Sequence, residues 1–346
     1  MLLSERSTPE LLYQEVRWAS LLSYGVTIKL LSDLLPMEHQ LSTSTVSRHV
    51  HQVAERLERE LGDEQPSFIE GCPDQWYQLP EPDEPLVVSL DGGYVHARSK
   101  ERRKDGSFEV IVGKSTTGEG ATTRFGLVSG YDTKPRRRLF EVLQAQGLQM
   151  NQAVTFLTDG GDTVRDLTEG HSPQSSHILD WFHITMRLTV LSQMAKGVSV
   201  EHKGEPFEKE LERIKWFLWH SNLYKALQVL DDLEMDVDAK ASPEAQKLAK
   251  TLHEFDHYIR TNQSSIPNYG DRYRNGEAIS SAVAESSVNQ MVSKRFVKKQ
   301  QMRWTPEGAH ALLQVRTAVL NGELSAHFNR WYPGFAANDS AYSMAA

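Results

Sequence analysis

A single cysteine, Cys72, occurs among the 346 residues, and no apolar run is long enough to span a lipid bilayer. One cysteine excludes an internal disulfide framework and any zinc site that needs several cysteines. The amino terminus lacks the basic and apolar segments of a secretory signal peptide. These absences predict a cytoplasmic protein that has no membrane partner.

An excess of basic residues is also lacking, because the formal net charge is −8. This average argues mildly against a nucleic-acid partner, but the charges are unevenly distributed along the chain. Basic residues cluster in three segments, which are 98–104, 134–138 and 294–303. For any one cluster the alternative is a solvated face, whereas three clusters that flank the motifs described below favour contacts with phosphates.

Residues 9–62 have helical periodicity, and Ser42 is a candidate N-cap for a helix with one apolar stripe. A short helix, a turn and this longer helix form a helix-turn-helix pattern, so we predict a DNA-binding region over residues 1–63. The polar residues that face away from the stripe are the predicted DNA contacts: Thr45, Arg48 and His51. The alternative is a helical hairpin that only packs on the next domain.

The remainder of the chain divides into segments of different character. A stretch rich in proline and acidic residues predicts a linker, and alternating apolar residues then predict three strands, a helix, a strand, a helix and a strand. Charged helical periodicity without a strand signal follows. The predicted segments are a linker at 64–85, a core at 86–184, an all-helical insertion at 185–270, a completion of the core at 271–325 and a tail at 326–346.

Three carboxylates carry the candidate chemistry. Asp91 and Asp159 each end an apolar run that predicts a buried strand with the aspartate as its last side chain, and each is followed by two glycines. The beta signal that begins with the first run predicts one strand over 86–98. Glu285 lies among small residues, in a stretch that predicts a helix over 275–299. Carboxylates beside an apolar scaffold are costly unless a cation lies between them, and hard oxygen ligands suit Mg²⁺ or Mn²⁺. The set therefore predicts phosphoryl transfer assisted by two metal ions.

Each of these carboxylates has a local alternative. Asp91 could simply start a turn, Asp162 could replace Asp159, and Glu277 could replace Glu285. We favour the first-named residues because Asp159 directly ends its apolar run, and because the alanines and valine before Glu285 argue against full exposure.

Further candidates surround the three carboxylates. Asp180 and His183 follow a predicted strand, and we expect them to support the site from outside the metal ligands, although His183 could instead be a core histidine. Trp304 could stack on a base or fill the core. The basic residues that follow Glu285 are predicted to contact the DNA backbone: Arg295, Lys298 and Lys299.

In this order the motifs resemble those of the DDE transposases of bacterial insertion sequences, and in particular the Kra-type family. The matching strings are Ser-Leu-Asp91-Gly, Leu-Thr-Asp159-Gly, His-Ile-Leu-Asp180-Trp-Phe-His183, Ala-Val-Ala-Glu285-Ser, Met-Arg-Trp304 and the run from Gly308 to Arg316. The Asp-Trp-Phe-His string is similar to the Asp/Cys-x-x-His element of Mutator-like transposases. Family members often carry an amino-terminal Cys-x-x-Cys metal ribbon, and this sequence has no such pair.

The resemblance implies an α/β fold, with a ribonuclease-H-like catalytic core and an all-helical insertion, preceded by the helix-turn-helix region. It implies metal-dependent cleavage and strand transfer at insertion-sequence ends, with Asp91 bridging both ions and Asp159 and Glu285 each holding one. The partners would be double-stranded DNA of the terminal inverted repeats and of the target. The protein would be nucleoid-associated, and a homodimer or larger assembly on DNA.

Two functions from other classes remain open. A transposase-derived DNA-binding protein with an inert core would keep the helix-turn-helix and the basic clusters. An acid–base hydrolase would use two carboxylates without metal, and it would therefore work in the presence of a chelator.

Overall fold

The computed structural model describes residues 7–36, 41–98, 106–198, 201–202, 205–281, 289–297 and 303–335. Three helices come first, namely α1 (Pro9–Leu21), α2 (Tyr24–Leu34) and α3 (Thr43–Glu60). Each begins after a hydroxyl side chain that accepts a hydrogen bond from a backbone amide three residues further on, and these N-caps are Thr8, Ser23 and Ser42. The predicted N-cap at Ser42 is thus confirmed. A short helix, α4 (Pro73–Trp76), lies within the predicted linker.

A five-stranded sheet follows, formed by β1 (Leu86–His96), β2 (Ser107–Thr116), β3 (Thr122–Val128), β4 (Val154–Thr158) and β5 (Ser175–Leu179). The spatial order is β3-β2-β1-β4-β5, in which β1, β2 and β3 are antiparallel neighbours and β4 and β5 run parallel to β1. Helices α5 (Pro135–Ala145) and α6 (Asp162–Thr168) connect β3 to β4 and β4 to β5. The mixed α/β class is confirmed, and so is the predicted order of these elements.

Strand β1 continues well beyond Asp91. The strand predicted over 86–98 is confirmed, whereas the interpretation of Asp91 as its last side chain is wrong, because β1 stays paired with β2 through both glycines and as far as His96. The neighbouring strand β4 ends at Thr158, opposite Leu90. Among the described residues, β1 from Asp91 to Val95 pairs with β2 only, and beyond it the amide of Trp304 donates to the carbonyl of His96 over 2.9 Å.

A group of helices follows the sheet: α7 (Trp181–Ala195), α8 (Phe207–Trp219), α9 (Leu223–Asp236), α10 (Pro243–Thr261) and α11 (Tyr269–Arg274). A two-stranded ladder that the sequence did not predict joins Glu201–His202 to Glu205–Pro206 between α7 and α8. The helices share an apolar core that includes Leu179 of β5. The predicted helical insertion therefore packs directly on the edge of the sheet.

The chain then returns to the sheet through a π-helix (Asn289–Val297), α12 (Pro306–Leu320) and α13 (Leu324–Trp331). The predicted helix over 275–299 is wrong in its first part, because residues 275–281 are not helical. Helix α11 ends at Arg274, and Gly276 adopts the left-handed conformation with φ of 73° that commonly follows a helix end. Glu285 lies outside the described residues.

One apolar core joins the amino-terminal helices to the sheet. It contains residues of α1, α3, β1, β2, the π-helix and α12, with Val16, Val50, Val112, Met291 and Leu312 as fully or nearly fully buried members. The helices of the predicted 1–63 region therefore pack on the core, as in the hairpin alternative, and DNA contact by this region stays a prediction. No helix in the described part of the chain is long and apolar enough to cross a membrane.

The first part of the predicted linker is anchored to α5 and α6. Phe68 is buried and stacks on Phe140 with 4.4 Å between ring centroids, and its amide donates to the carbonyl of Gly170. The ring of His171 lies parallel to Phe68, and its Nε2 lies 2.9 Å from the carbonyl oxygen of Leu167. Because His171 is fully buried, its pKa is lowered to about 4.

His171 is expected to make stability fall as the pH drops from about 6.5 to about 4. In this window the histidine of the unfolded chain takes up a proton and the native one does not, so up to about 3 kcal/mol of unfolding free energy is lost. His171→Gln should flatten the pH dependence of the urea midpoint. The control His257→Gln changes an exposed histidine. Equal pH profiles for wild type and His171→Gln would contradict this account.

Candidate active site

Three aspartates form a row where β4 and β5 end beside the middle of β1. Thr158 of β4 pairs with Leu90 of β1 on one side and with Leu179 of β5 on the other. Each of these residues is followed directly by one of the aspartates, Asp91, Asp159 or Asp180. The amide of Asp180 also donates to the carbonyl of Thr158 over 2.9 Å. In an open sheet with parallel strands, ligands bind outside the carboxyl ends of these strands. The structure thus brings together two predicted metal ligands and one predicted support residue.

The charge of Asp91 is not compensated by a close cation. Partial burial raises its pKa most strongly, and repulsion from Asp159 and Asp180 raises it further, while His183 opposes the shift. No ion pair of Asp91 occurs among the described residues. A carboxylate in this position is stabilised by a bound cation, so the row fits a divalent ion chemically.

A tight turn fixes Asp159. Its Oδ1 accepts a hydrogen bond of 3.0 Å from the amide of Gly161. Gly160 has φ of 86°, and a β-carbon there would lie 2.5 Å from the side-chain oxygen of Asn262 on α10, so only glycine fits. The rival Asp162 has an 88% exposed side chain that is ion-paired with Arg165. This geometry favours Asp159 as the ligand.

Asp180 is buried, and protein donors surround it. Its Oδ1 caps α7 by accepting from the amide of Phe182 over 2.9 Å, and the amide of Ser281 lies 3.1 Å from both carboxylate oxygens. The hydroxyl of Ser281 donates to the same carboxylate. His183 Nε2 lies 4.0 Å from Asp180 Oδ2. Both carboxylate oxygens of Asp180 thus already accept hydrogen bonds that hold Ser281 and the start of α7 in place, and few lone pairs remain for a metal ion.

Helices of the insertion hold the ends of β4 and β5. His177 of β5 contacts Thr158 through Nε2 at 2.6 Å and Ser265 through Nδ1 at 3.0 Å. The hydroxyl of the buried Tyr269 donates to the carbonyl of Leu179 over 2.7 Å. Sequence reasoning missed these residues and also Ser281, because no local motif marks a side chain whose partner is distant in sequence.

Two predicted DNA contacts lie in the core instead. Arg295 is fully buried, its Nε donates to the carbonyl of Ala19 over 3.0 Å, and burial lowers its pKa to about 10. Its guanidinium lies 5.3 Å from the ring centroid of Tyr24 and 5.2 Å from that of the buried Trp304. The burial of Arg295 contradicts its predicted contact with DNA, and the burial of Trp304 agrees with the core alternative rather than with stacking on a base. Lys298 and Lys299 lie outside the described residues.

The three predicted contacts on α3 differ in how freely they can reach DNA. Arg48 is exposed and forms no ion pair in the part of the chain that the structure describes. Thr45 is half-buried, with its hydroxyl 2.9 Å from that of Ser42. His51 is half-buried, and its Nδ1 lies 3.9 Å from a carboxylate oxygen of Glu307. DNA contact by all three stays a prediction, with Arg48 the least engaged within the protein.

Glu58, Asp132 and His310 form another group that could hold a metal ion. Among the described residues it is the one set of three whose potential ligand atoms all lie within 4.8 Å of one another. However, Arg138 already donates to Glu58 and to Asp132, each over 2.8 Å. Burial would raise the pKa of Glu58, but His310 and Arg138 outweigh it and lower that pKa. A metal ion would have to displace Arg138, so the group fits an ion-pair network better.

Comparisons with known proteins add little to this geometry. No protein-family model and no curated protein sequence matches the chain. Among solved structures, the chain is similar to the Drosophila P element transposase strand transfer complex, with 12% identity, a TM-score of 0.30, and coverage of 94% of this chain and 81% of that chain. It is also similar to the crystal structure of NurA, with 12% identity, a TM-score of 0.13, and coverage of 73% and 74%. At these TM-scores neither likeness bears on the function.

Proposed function

We propose that the chain is a DDE transposase that cleaves and transfers DNA strands with the help of Mg²⁺ or Mn²⁺. Asp91 and Asp159 serve as two of its three metal ligands. The observation that carries this proposal is the row of aspartates where β4 and β5 end beside β1, in which Asp91 is half-buried, repelled by two further carboxylates and without an ion pair among the described residues. Structural buried carboxylates are normally paired with a cation, so a carboxylate without an ion pair beside the ends of two parallel strands supports a ligand-binding role.

The residues that flank Glu285 support it as the third ligand. Ser281 contacts Asp180 at one end of the row. Met291 packs against Gly126 of β3, on the other side of the sheet's centre from Asp180. A β-carbon added to Gly126 would lie only 3.1 Å from the terminal methyl group of Met291. Val112 of β2 pairs with Asp91 of β1 on one side and with Gly126 of β3 on the other. We infer that Glu285, which lies between Ser281 and Met291 in sequence, completes the site.

The finer fold assignment belongs to the same proposal. Three antiparallel strands followed by a helix, a parallel strand, a helix and a parallel strand are in keeping with a ribonuclease-H-like core. The proposed assembly is a homodimer or a larger oligomer on the terminal inverted repeats and target DNA, associated with the nucleoid.

In the proposed reaction, water first cleaves the strand at the element end, and the freed 3′-hydroxyl then attacks target DNA. Bound metal ions would activate these nucleophiles and stabilise the leaving oxygen. Asp91 and Asp159 would hold the ions from the sheet. Asp180 holds Ser281, and thereby the chain that leads to Glu285, while the nearby His183 moderates the negative charge of the row.

A cleavage assay separates this proposal from its two rivals. The substrate is duplex DNA that carries the imperfect inverted repeats expected beside the gene, incubated with Mn²⁺, with Mg²⁺ or with chelator. We expect cleavage at the repeat ends with either metal and none in chelator. Binding without cleavage would instead identify an inert DNA-binding protein, and cleavage in chelator would identify an acid–base hydrolase.

Arg48 provides a test of the DNA-binding role of α3. If its exposed guanidinium contacts a phosphate, Arg48→Ala should weaken binding to all DNA and reduce the salt slope by about one unit. If it contacts a base, the loss should be about 1–3 kcal/mol and concentrated at one sequence position. The measurement is binding of end and random DNA over a salt series.

The matched control for this test is Arg59→Ala, which removes an exposed arginine from the acidic last turn of the same helix. If Arg48→Ala binds both DNAs with wild-type affinity and slope, α3 has a packing role only.

A further inference from the structure

Helix α7 carries a second basic residue beside the candidate site. Asp180 caps this helix, and His183 and Arg187 follow one helical turn apart, so that both lie on the same face. His183 is an electrostatic neighbour of Asp91. Arg187 is exposed and has no carboxylate within ion-pair distance among the described residues. An arginine on this face, with its charge unpaired, remains available for an anionic ligand.

Tyr258 of α10 holds the guanidinium of Arg187 in place. The guanidinium carbon of Arg187 lies 4.1 Å from the centroid of the tyrosine ring. Tyr258 is 9% exposed, and its hydroxyl finds no acceptor in the part of the chain that the structure describes. Burial raises the pKa of Tyr258, Asp159 and Asp180 raise it further, and Arg187 opposes the shift. The ring and the cation therefore lie within electrostatic reach of the aspartate row.

The position of Tyr258 relative to Asp159 is fixed by Asn262, one turn further along α10. The Asn262 side-chain amide donates to the carbonyl of Tyr258 over 2.9 Å, and its oxygen accepts from Arg165 over 2.9 Å. The same oxygen fills the space next to Gly160. Helix α10 is thus attached to the turn that carries Asp159, and a ligand at Asp159 would have Tyr258 and Arg187 beside it.

We propose that Arg187 and the hydroxyl of Tyr258 bind a non-bridging oxygen of the phosphodiester that reacts at the aspartate row. This inference rests on the proposed function. A guanidinium matches two phosphate oxygens with parallel hydrogen bonds, and a buried hydroxyl without an acceptor is satisfied by a phosphate oxygen. The alternative is a purely structural cation–π contact, which exposed arginine and tyrosine pairs often form.

The experiment compares Arg187→Gln, Arg187→Lys and Tyr258→Phe with the control Lys250→Gln, which changes an exposed cation elsewhere on α10. Duplex end DNA is bound over a salt series in Ca²⁺, and its cleavage is then followed in Mn²⁺. We expect Arg187→Gln to reduce the salt slope by about one unit and the cleavage rate by about 100-fold. Arg187→Lys should keep the salt slope and recover part of the rate, and Tyr258→Phe should lower the rate by about 10-fold with the ring contact retained.

The outcomes distinguish this inference from the proposed function. If wild type cleaves and Arg187→Gln matches Lys250→Gln in both rate and salt slope, the phosphate role is overturned and the transposase proposal stands. If Arg187→Gln lowers the thermal midpoint and leaves the salt slope unchanged, the contact with Tyr258 is structural and the phosphate role is likewise overturned. If wild type does not cleave in Mn²⁺, the proposed function fails and this inference fails with it.

Discussion

Asp91→Asn is expected to lower Mn²⁺-dependent cleavage of element ends by at least about 1,000-fold, which corresponds to about 4 kcal/mol of transition-state stabilisation. The neutral amide cannot bridge two ions as a carboxylate does.

The same change should raise the thermal midpoint of the metal-free protein at neutral pH. Because the folded state raises the pKa of Asp91, its ionised form destabilises the fold, and this cost grows as the pH rises above the ordinary carboxyl range.

The matched control is Asp162→Asn, which changes an exposed aspartate three residues after Asp159. It should cleave DNA at nearly the wild-type rate. Mn²⁺ should raise the thermal midpoint of wild type and of Asp162→Asn, but not that of Asp91→Asn. An Asp91→Asn protein that keeps cleaving, or that loses stability as it loses activity, would contradict a metal-binding role for Asp91.

Arg138→Met is expected to lower the free energy of unfolding by about 3–5 kcal/mol. Arg138 is buried and donates to Glu58, Asp132 and Gln314, each over 2.8 Å. The substitution leaves two carboxylates near each other without their shared cation, and removing one partner of a buried ion pair costs far more than removing an exposed one. The measurement is equilibrium urea unfolding at neutral pH without added metal.

Arg274→Met is the control for this prediction, since Arg274 pairs with the carboxylate of Asp271 and both side chains are more than half exposed. Its loss should cost less than about 1 kcal/mol. Equal effects of the two substitutions would show that the Arg138 network is not a buried support. A divalent ion that restores the stability of Arg138→Met alone would show that the arginine occupies the place of a metal.

Local signals predicted much of the fold. The hydroxyl before α3 and the alternating apolar residues of β2 act through neighbours a few residues away, and both elements formed as predicted. The strand predicted over 86–98 formed, but the interpretation of Asp91 as its last side chain was wrong, because pairing with β2 carries the strand past Asp91. The first part of the helix predicted over 275–299 did not form, because Gly276 adopts a positive φ that a helix does not allow.

The candidate site was predictable only in part, for a similar reason. Asp91 and Asp159 stand next to strand and glycine signals that are visible locally. Ser281 hydrogen-bonds to Asp180 from a non-helical segment far along the chain, and Tyr258 on α10 is an electrostatic neighbour of Asp159 and Asp180. No local pattern marks either residue. Arg295 was assigned to the surface because basic residues surround it, whereas its burial depends on the packing of α1 and α2 around the π-helix.

The central claim is that the aspartate row, and not the cluster around Arg138, is the metal centre. A crystal of the protein soaked in Mn²⁺ and measured for anomalous scattering tests it most directly. The account predicts anomalous density between the carboxylates of Asp91 and Asp159, within coordination distance of Glu285, and none in crystals of Asp91→Asn. Density confined to Glu58, Asp132 and His310, or metal near Asp91 that does not touch its carboxylate, would contradict it.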